Sequence, residues 1–456
     1  MKRKLGLTLA LACVLSCGSL VSCGGGDVSG QEKNVSERVL AAVRDAETLS
    51  HDELFAKAAE ELGTSGQVKI LATTSRGKKA KDMFIAELQK HNANITDPLV
   101  YDTTVDGQIY TTLQGEISSG KTDGYSGMIT QDGYQLQTKG IDTGYYANFI
   151  PKKWADAVGE TVKNDVGNPF TLQYNFKTWM VNNTGDFVMD NVWDVTHSSM
   201  KGRIDTMNPN NENVNMDWLI QLTDETQNAA LKAAYEDETA TTDVNLDDYS
   251  SYGDLKYAYA FIDKFLTNAV FYEDDGKAMT HVAQTAGQVG WIVYSKILKV
   301  EETEAISKRN ITIAALGDEN DGSGLTKSNV KGFGGFMYKH YLQLMPNAQF
   351  PYATCAFFEL ISTEAAAYKA WATDVGDYPT MASINIDRTK GGNGSIVDGA
   401  FVQADDGETI FPCLNDPTAD WWINTAGAVV ETPSFIGSHY DNVIDFIDAS
   451  IAAKAK

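Results

Sequence analysis

Val68-Lys69-Ile70-Leu71-Ala72-Thr73-Thr74-Ser75-Arg76-Gly77 runs from a short apolar segment of strand type straight into a hydroxyl-rich turn. The residues that follow place Ala80, Met83, Phe84 and Leu88 at helical spacing, so the turn opens a helix. Its hydroxyls and free backbone N–H groups then sit at a helix N-terminus, where the dipole favours acceptor or anionic groups. A cap that satisfies only its own helix is the plainer use of the same residues. The pattern repeats outward. Val35 to Leu62 reads as an amphipathic helix ending near Gly63, and Leu99 to Tyr101 as a second strand. Gly107 to Ser118 reads as a second helix, and Gly127 to Thr130 as a third strand closing on Gln131-Asp132-Gly133. Strands alternating with helices predict an α/β fold with a mainly parallel sheet.

Further along, Phe170 to Asn182 is one long extended segment carrying Tyr174, Phe176, Trp179 and Val181, the candidate first crossing between two lobes. Gly202 to Met207 reads as a strand entering Asn208-Pro209-Asn210-Asn211, with a helix beginning at Met216 to Leu222. Residues 236–249 hold Glu236, Asp237, Glu238, Asp243, Asp247 and Asp248 with no Lys or Arg, as a solvated insertion does. Leu255, Ala258, Tyr259, Ile262, Phe265 and Leu266 follow helical spacing and read as core. Gly287 to Tyr294 and Ile311 to Leu316 are strand candidates, and Lys331 to Met337 is placed to carry the chain back to the first lobe. Phe350 to Ala372 reads as helix, Gly391 to Gly399 as a mobile glycine-bearing loop, and a last helix begins near Asp441.

The chain of 456 residues, 43% of them hydrophobic, exceeds what one compact core usually holds, so two lobes are expected. Met1-Lys2-Arg3-Lys4 is basic, and the apolar run from Leu5 to Val21 is shorter than the ~20 residues of a comfortable membrane span. It reads as an export signal. The run ends in Leu20-Val21-Ser22-Cys23, which resembles the bacterial lipobox, so Cys23 is the expected lipidation site, with Gly24 to Gly30 as a flexible tether. Val14-Leu15-Ser16-Cys17 competes with it but lacks such a tether, and an ordinary cleaved signal is the alternative. Loss of Lys2, Arg3 and Lys4 would take the formal charge from -24 to -27, which argues against nucleic acid or anionic lipid as partners. Beyond the signal only Cys355 and Cys413 remain, either as one disulfide or as a free pair, and they form no metal site.

The segment Gly115-Glu116-Ile117-Ser118-Ser119-Gly120-Lys121-Thr122 satisfies the phosphate-loop pattern G-x-x-x-x-G-K-[ST]. A phosphate loop leaves a strand and opens a helix. Here a helical stretch precedes and a turn and strand follow, so a helix-ending turn is expected. Gly332-Phe333-Gly334 has Met337 where a dinucleotide loop needs its third glycine. There is no Gly-x-Ser-x-Gly elbow and no His-Glu-x-x-His helix, and the six histidines are scattered.

Several pieces taken in order resemble the extracellular solute-binding proteins of ABC importers, in the group that includes ferric-iron, thiamine, phosphonate and polyamine binders. Ala58 to Gly63 before Val68 to Ser75 looks like that group's opening helix and strand. Lys121 to Gly124 through Gln131 to Gly133 looks like its third strand, and Gln173-Tyr174-Asn175 like its hinge strand. Met200-Lys201-Gly202-Arg203-Ile204 through Asn208-Pro209-Asn210 is similar to the entry into its second lobe, Gly287 to Trp291 to a later strand there, and Phe357 to Glu364 to its late helix. The resemblance spans residues 55 to 385; the acidic insertion and residues 386–456 depart from it. It implies a two-lobed α/β fold of the type II periplasmic-binding-protein kind, with a hinge and an interlobe cleft. The divisions are a signal at 1–22, a tether at 23–34, a first lobe at 35–172, a second at 173–331, and a return to the first lobe with a C-terminal extension at 332–456.

The resemblance further implies a non-enzymatic monomer without cofactor or bound metal, whose partners are a small-molecule solute and the permease's transmembrane subunits, tied to the membrane only through its N-terminal lipid. Expected ligand contacts are Thr73, Thr74, Ser75, Arg76, Gln131 and Asp132 in the first lobe, Tyr174 and Asn175 at the hinge, and Asn208, Asn210, Trp291 and Tyr294 in the second. The family's iron binders use adjacent tyrosines in the second lobe, whereas Tyr145-Tyr146, the only adjacent pair here, comes too early in the chain. An exported hydrolase or an adhesive or sensory lipoprotein is the alternative reading.

Overall fold

The computed structural model describes residues 32–300, 303, 310–316, 328–372, 376–384, 394–397, 400–403, 409–411 and 419–454. The expected signal segment, the tether up to residue 31 with Cys23, and Cys413 lie outside these residues. The end of the expected tether is docked: Asn34 N–H donates to the Gly144 carbonyl at 2.9 Å and Asn34 Nδ2 to that of Thr143 at 2.7 Å.

The strands are β1 (Val68–Ala72), β2 (Leu99–Thr103), β3 (Gly127–Thr130), β4 (Thr171–Asn182), β5 (Ile204–Met207), β6 (Ala269–Tyr272), β7 (Val289–Val293), β8 (Ile311–Ile313), β9 (Gly335–Leu344), β10 (Asp377–Pro379), β11 (Gly394–Val397), β12 (Ala400–Gln403), β13 (Thr409–Phe411) and β14 (Val429–Val430). All but β11–β13 join one sheet with the order β2-β1-β3-β9-β4-β7-β5-β6, and β11–β13 form a small antiparallel sheet. Gly394–Val397, expected in a loop, is thus a strand paired with Ala400–Gln403.

Both halves of the main sheet are parallel where strands are linked through helices: β1 with β2 and β3, and β5 with β6 and β7. Two long strands join the halves. β9 is antiparallel to β3 at Tyr341–Leu344 and to β4 at Gly335–Tyr341, and β4 continues beside β7 from Lys177 to Val181. Each therefore belongs to both lobes, which is why β4 is buried along nearly its whole length and rich in apolar residues.

Separate cores fill the two halves. The first lobe packs Phe55, Phe84, Phe357, Trp154 and Tyr368 on one sheet face and Tyr110, Leu113, Met128 and Tyr341 on the other. The second packs Trp179, Trp218, Trp291 and Phe333 on one face and Phe176, Ile292, Tyr294 and Trp422 on the other. Free Cys355 is buried in the first core. The opening helical stretch is two helices, Glu37–Ala46 and His51–Leu62. The break falls at Ser50, whose side chain accepts from Glu53 N–H while Glu53 returns a bond to the Ser50 N–H. The phosphate-loop look-alike closes the helix Asp106–Ser118, with Gly120 at φ +65° and Lys121 Nζ 2.8 Å from Glu116. The acidic insertion buries Val244 and Tyr249, and Asp194 Oδ1 accepts its Thr241 N–H at 2.8 Å. The last helix starts earlier than expected, at Pro433, and runs to Lys454. It packs on Asn213–Gln221 and Lys256–Asn268 of the second lobe, and its Tyr440 stacks on Tyr134 of the first at 3.7 Å.

Candidate functional site

Alternation along β4 puts Gln173, Asn175 and Lys177 on one face, and the register with β9 sets Tyr338 and His340 beside them. All five are buried. A buried strand of this kind carries polar side chains only where they find partners. Asp377, at 0% exposure on β10, accepts from Asn175 Nδ2, and Arg76 Nη1 reaches its other oxygen at 2.5 Å. His340 Nδ1 lies 2.8 Å from Asn175 Oδ1, and Tyr368 OH donates to Gln173 Oε1 at 2.9 Å. Burial, with a smaller push from the Arg76 charge, drives the His340 pKa down to about 3, so the ring is neutral near pH 7.

Lys177, also at 0% exposure, forms ion pairs with Glu212, just before the helix Asn213–Gln221, and with Asp275, which opens the helix Asp275–Gln284. Burial works against the Lys177 charge, but the carboxylates of Asp275 and Glu212 outweigh it and raise its pKa above the usual lysine value. Tyr338 senses Asp275, Glu212, Arg76 and Asp377 together; burial first, and then these carboxylates, hold its hydroxyl protonated. The crossing strands thus carry two cations and three carboxylates supplied by both lobes.

A second polar seam joins the lobes beside the first. Asp132, after β3, accepts Gln135 N–H at 2.8 Å and also Asn213 Nδ2 from the second lobe. Gly133 N–H donates at 3.1 Å to Asp217 on the same second-lobe helix. Glu431, after β14, accepts Tyr341 OH at 2.7 Å and Lys339 N–H at 3.1 Å. All three carboxyls are buried, and burial raises each pKa, Glu431 to about 7; in Asp217 the charges of Asp132 and Glu431 add to the shift. Crowding of three carboxyls in one buried seam favours their protonated forms.

Of the expected contacts, the structure brings Arg76 and Asn175 together through Asp377 and sets Asp132 of the first lobe against Asn213 of the second. Thr73 is half-buried with no hydrogen bond to its Oγ1, Thr74 caps its own turn by accepting Arg76 N–H, and Ser75 is exposed. Gln131 and Tyr174 are half-buried. Asn208 Oδ1 accepts Asn210 N–H at 3.0 Å, while exposed Asn210 turns to Asp448 at 2.8 Å. Trp291 is fully buried, its ring 4.3 Å from those of both Trp179 and Trp218, and Tyr294 is fully buried against Trp422. Tyr145 and Tyr146 pack in the first lobe. Lys177, Glu212, Asp217, Tyr338, Asp377 and Glu431 were not anticipated. The alternation of Gln173, Asn175 and Lys177 along β4 is a local signal that could have found Lys177; no local pattern marks Asp377 or Glu431. Among the described residues no group of three or more His, Cys, Asp or Glu side chains is arranged to hold a metal.

No family model and no curated protein matches the sequence. Among solved structures, the fold is similar to that of iron-bound HitA from Pseudomonas aeruginosa, at 12% identity and a TM-score of 0.51 over 84% of this chain and 99% of that one. A ferric binding protein from Campylobacter jejuni aligns at 11% identity and a TM-score of 0.49 over 84% and 99%. An ABC transporter protein from Clostridium perfringens aligns at 11% and 0.49 over 84% and 100%. The first of these likenesses supports the fold, a two-lobed α/β architecture of the periplasmic-binding-protein kind.

Proposed function

We propose that this protein is an exported, lipid-anchored solute-binding protein of an ABC importer. It captures a small polar solute between its lobes and delivers it to the permease's transmembrane subunits, with no chemistry of its own. The observation that carries this reading is the convergence of Arg76 and Asp377 from one side, and Glu212 and Asp275 from the other, on the polar face of the two strands that join the lobes. Charges held this way are costly to bury, and a polar solute exchanging with them distinguishes loaded from empty protein through the open–closed balance. Driving that balance from 1:99 to 99:1 takes ~5.5 kcal/mol of differential affinity, which a few charge-assisted hydrogen bonds to both lobes supply. Within this reading Thr73, Thr74, Gln131 and Asn208 line the approach, while Tyr174 is turned to the opposite face of β4 and Asp132 into the buried seam.

Anchoring through Cys23 and a monomeric state belong to the same proposal. Among the described residues no helix is long and apolar enough to cross a membrane. The test is a thermal-shift screen of the mature chain against polyamines, thiamine, phosphonates, sugars and ferric complexes. A saturable rise in melting temperature with one class, weakened by Arg76→Gln, is expected. No shift with any of them, together with turnover of a sugar or peptide substrate, would replace capture by catalysis.

A further inference from the structure

A cavity of about 560 Å³ lies between the first lobe and the C-terminal segment, walled by Asn164, Asn168, Lys339, Tyr341, Glu431 and Ser434. Its size is that of a small-molecule site. Alternation along β9 turns Lys339 and Tyr341 away from Tyr338 and His340, so the cavity is on the opposite face of the crossing strands from Arg76 and Asp377. Ser434 and Glu431 belong to the part of the chain that departs from the solute-binding pattern.

The charge at this cavity is poorly met. The Lys339 side chain is 7% exposed, yet its ammonium's one ion pair among the described residues is with Asp165 at 3.8 Å, beyond hydrogen-bond reach. Asp165 is itself 57% exposed and screened by solvent. A buried ammonium without hydrogen-bonded counter-charge is expensive, and a polar cavity beside it is where a counter-charge fits. Glu431, also in the wall, is already committed: its Oε2 accepts from Tyr341 OH and Lys339 N–H, and its carboxyl meets that of Asp217 across the seam. The titratable and charged groups facing it are Tyr341 and Lys339 from β9, Asp132 from the end of β3 and Asp217 from the helix Asn213–Gln221.

We propose that this cavity binds a small oxyanion, a carboxylate or phosphate group, with Lys339 as counter-charge and the amides and hydroxyls of the wall as donors. The site is separate from the interlobe solute site and stands or falls independently of it. Isothermal titration of the mature chain at low ionic strength with inorganic phosphate in one arm and citrate in the other tests it and separates the two sources of the anion. The expected result is one saturable site for at least one of the two, weakened about tenfold or more by Lys339→Gln, as loss of a charged hydrogen bond implies. Ser434→Asp, which adds a like charge without disturbing β9, abolishes the site even if Lys339→Gln proves unstable. Arg76→Gln leaves affinity unchanged. Absence of binding in both arms, wild-type affinity in Ser434→Asp, or loss of the site with Arg76→Gln would each overturn the assignment.

Discussion

Arg76→Gln removes the guanidinium that pairs with Asp377 and leaves a carboxylate at 0% exposure beside the neutral donors Asn175 Nδ2 and, at 3.4 Å, Gln173 Nε2. Stripping one partner from a buried pair costs ~3–5 kcal/mol, mostly the penalty of the stranded charge. The two amides remain, so the lower end, about 3 kcal/mol, is expected for Arg76→Gln. Asp377→Asn in the same chain removes the stranded charge, so the double variant recovers most of the loss and the cycle shows a coupling of at least ~2 kcal/mol. Urea denaturation followed by tryptophan fluorescence reads both terms, because eight tryptophans report on both lobes. A loss below ~1 kcal/mol in Arg76→Gln, or additivity within ~0.5 kcal/mol in the cycle, would show that the pair is solvated and that the polar face of the crossing strands is not the dry, charged surface described.

Other consequences concern separate parts of the molecule. Trp291→Ala should cost about 3–5 kcal/mol through the cavity it leaves between Trp179 and Trp218, seen as a lower urea midpoint, while Trp291→Phe should cost much less. Glu61, which accepts Ala353 N–H at 3.0 Å, has its pKa raised by burial from 4.5 to about 7. Its folded value lies above its unfolded one, so its contribution is complete below about pH 4.5 and is lost as pH rises through about 7, roughly 3 kcal/mol in all; Glu61→Gln should remove that slope from melting temperatures measured between pH 4 and 8. Asp217→Asn relieves like-charge crowding with Asp132 and Glu431, so it should raise the melting temperature at pH 8 and leave it nearly unchanged at pH 4.

Most strands could be read from the sequence because their signals are local. Val68–Ala72 and Gly127–Thr130 are apolar runs bounded by turn residues, and the expected extended segment from Phe170 to Asn182 is β4 from Thr171. The break at Ser50 was also legible, as a Ser-x-x-Glu capping box inside a long amphipathic stretch, but the apolar period continues across it and hides the interruption. The site was half legible. Arg76, Asp132 and Asn175 occupy strand ends and a crossing strand, positions that topology makes functional. Their partners come from far away: Asp377 lies 202 residues beyond Asn175, and Asp217 lies 84 beyond Gly133. No spacing rule relates such residues, and Glu431 is in the segment for which the resemblance has no counterpart. Trp291 shows the opposite difficulty, since an aromatic on a strand suits a ligand stack and a core stack equally well, and here three tryptophans from β4, β7 and the helix Asn213–Gln221 meet.

Capture as proposed requires the lobes to swing on β4 and β9 and a bound solute to draw them together. Small-angle scattering of the mature chain, titrated with whichever solute raises its melting temperature, measures this directly. A radius of gyration that falls saturably with the same midpoint as binding, and no longer responds in Arg76→Gln, is the predicted result. A radius unchanged from empty to saturated protein would contradict it.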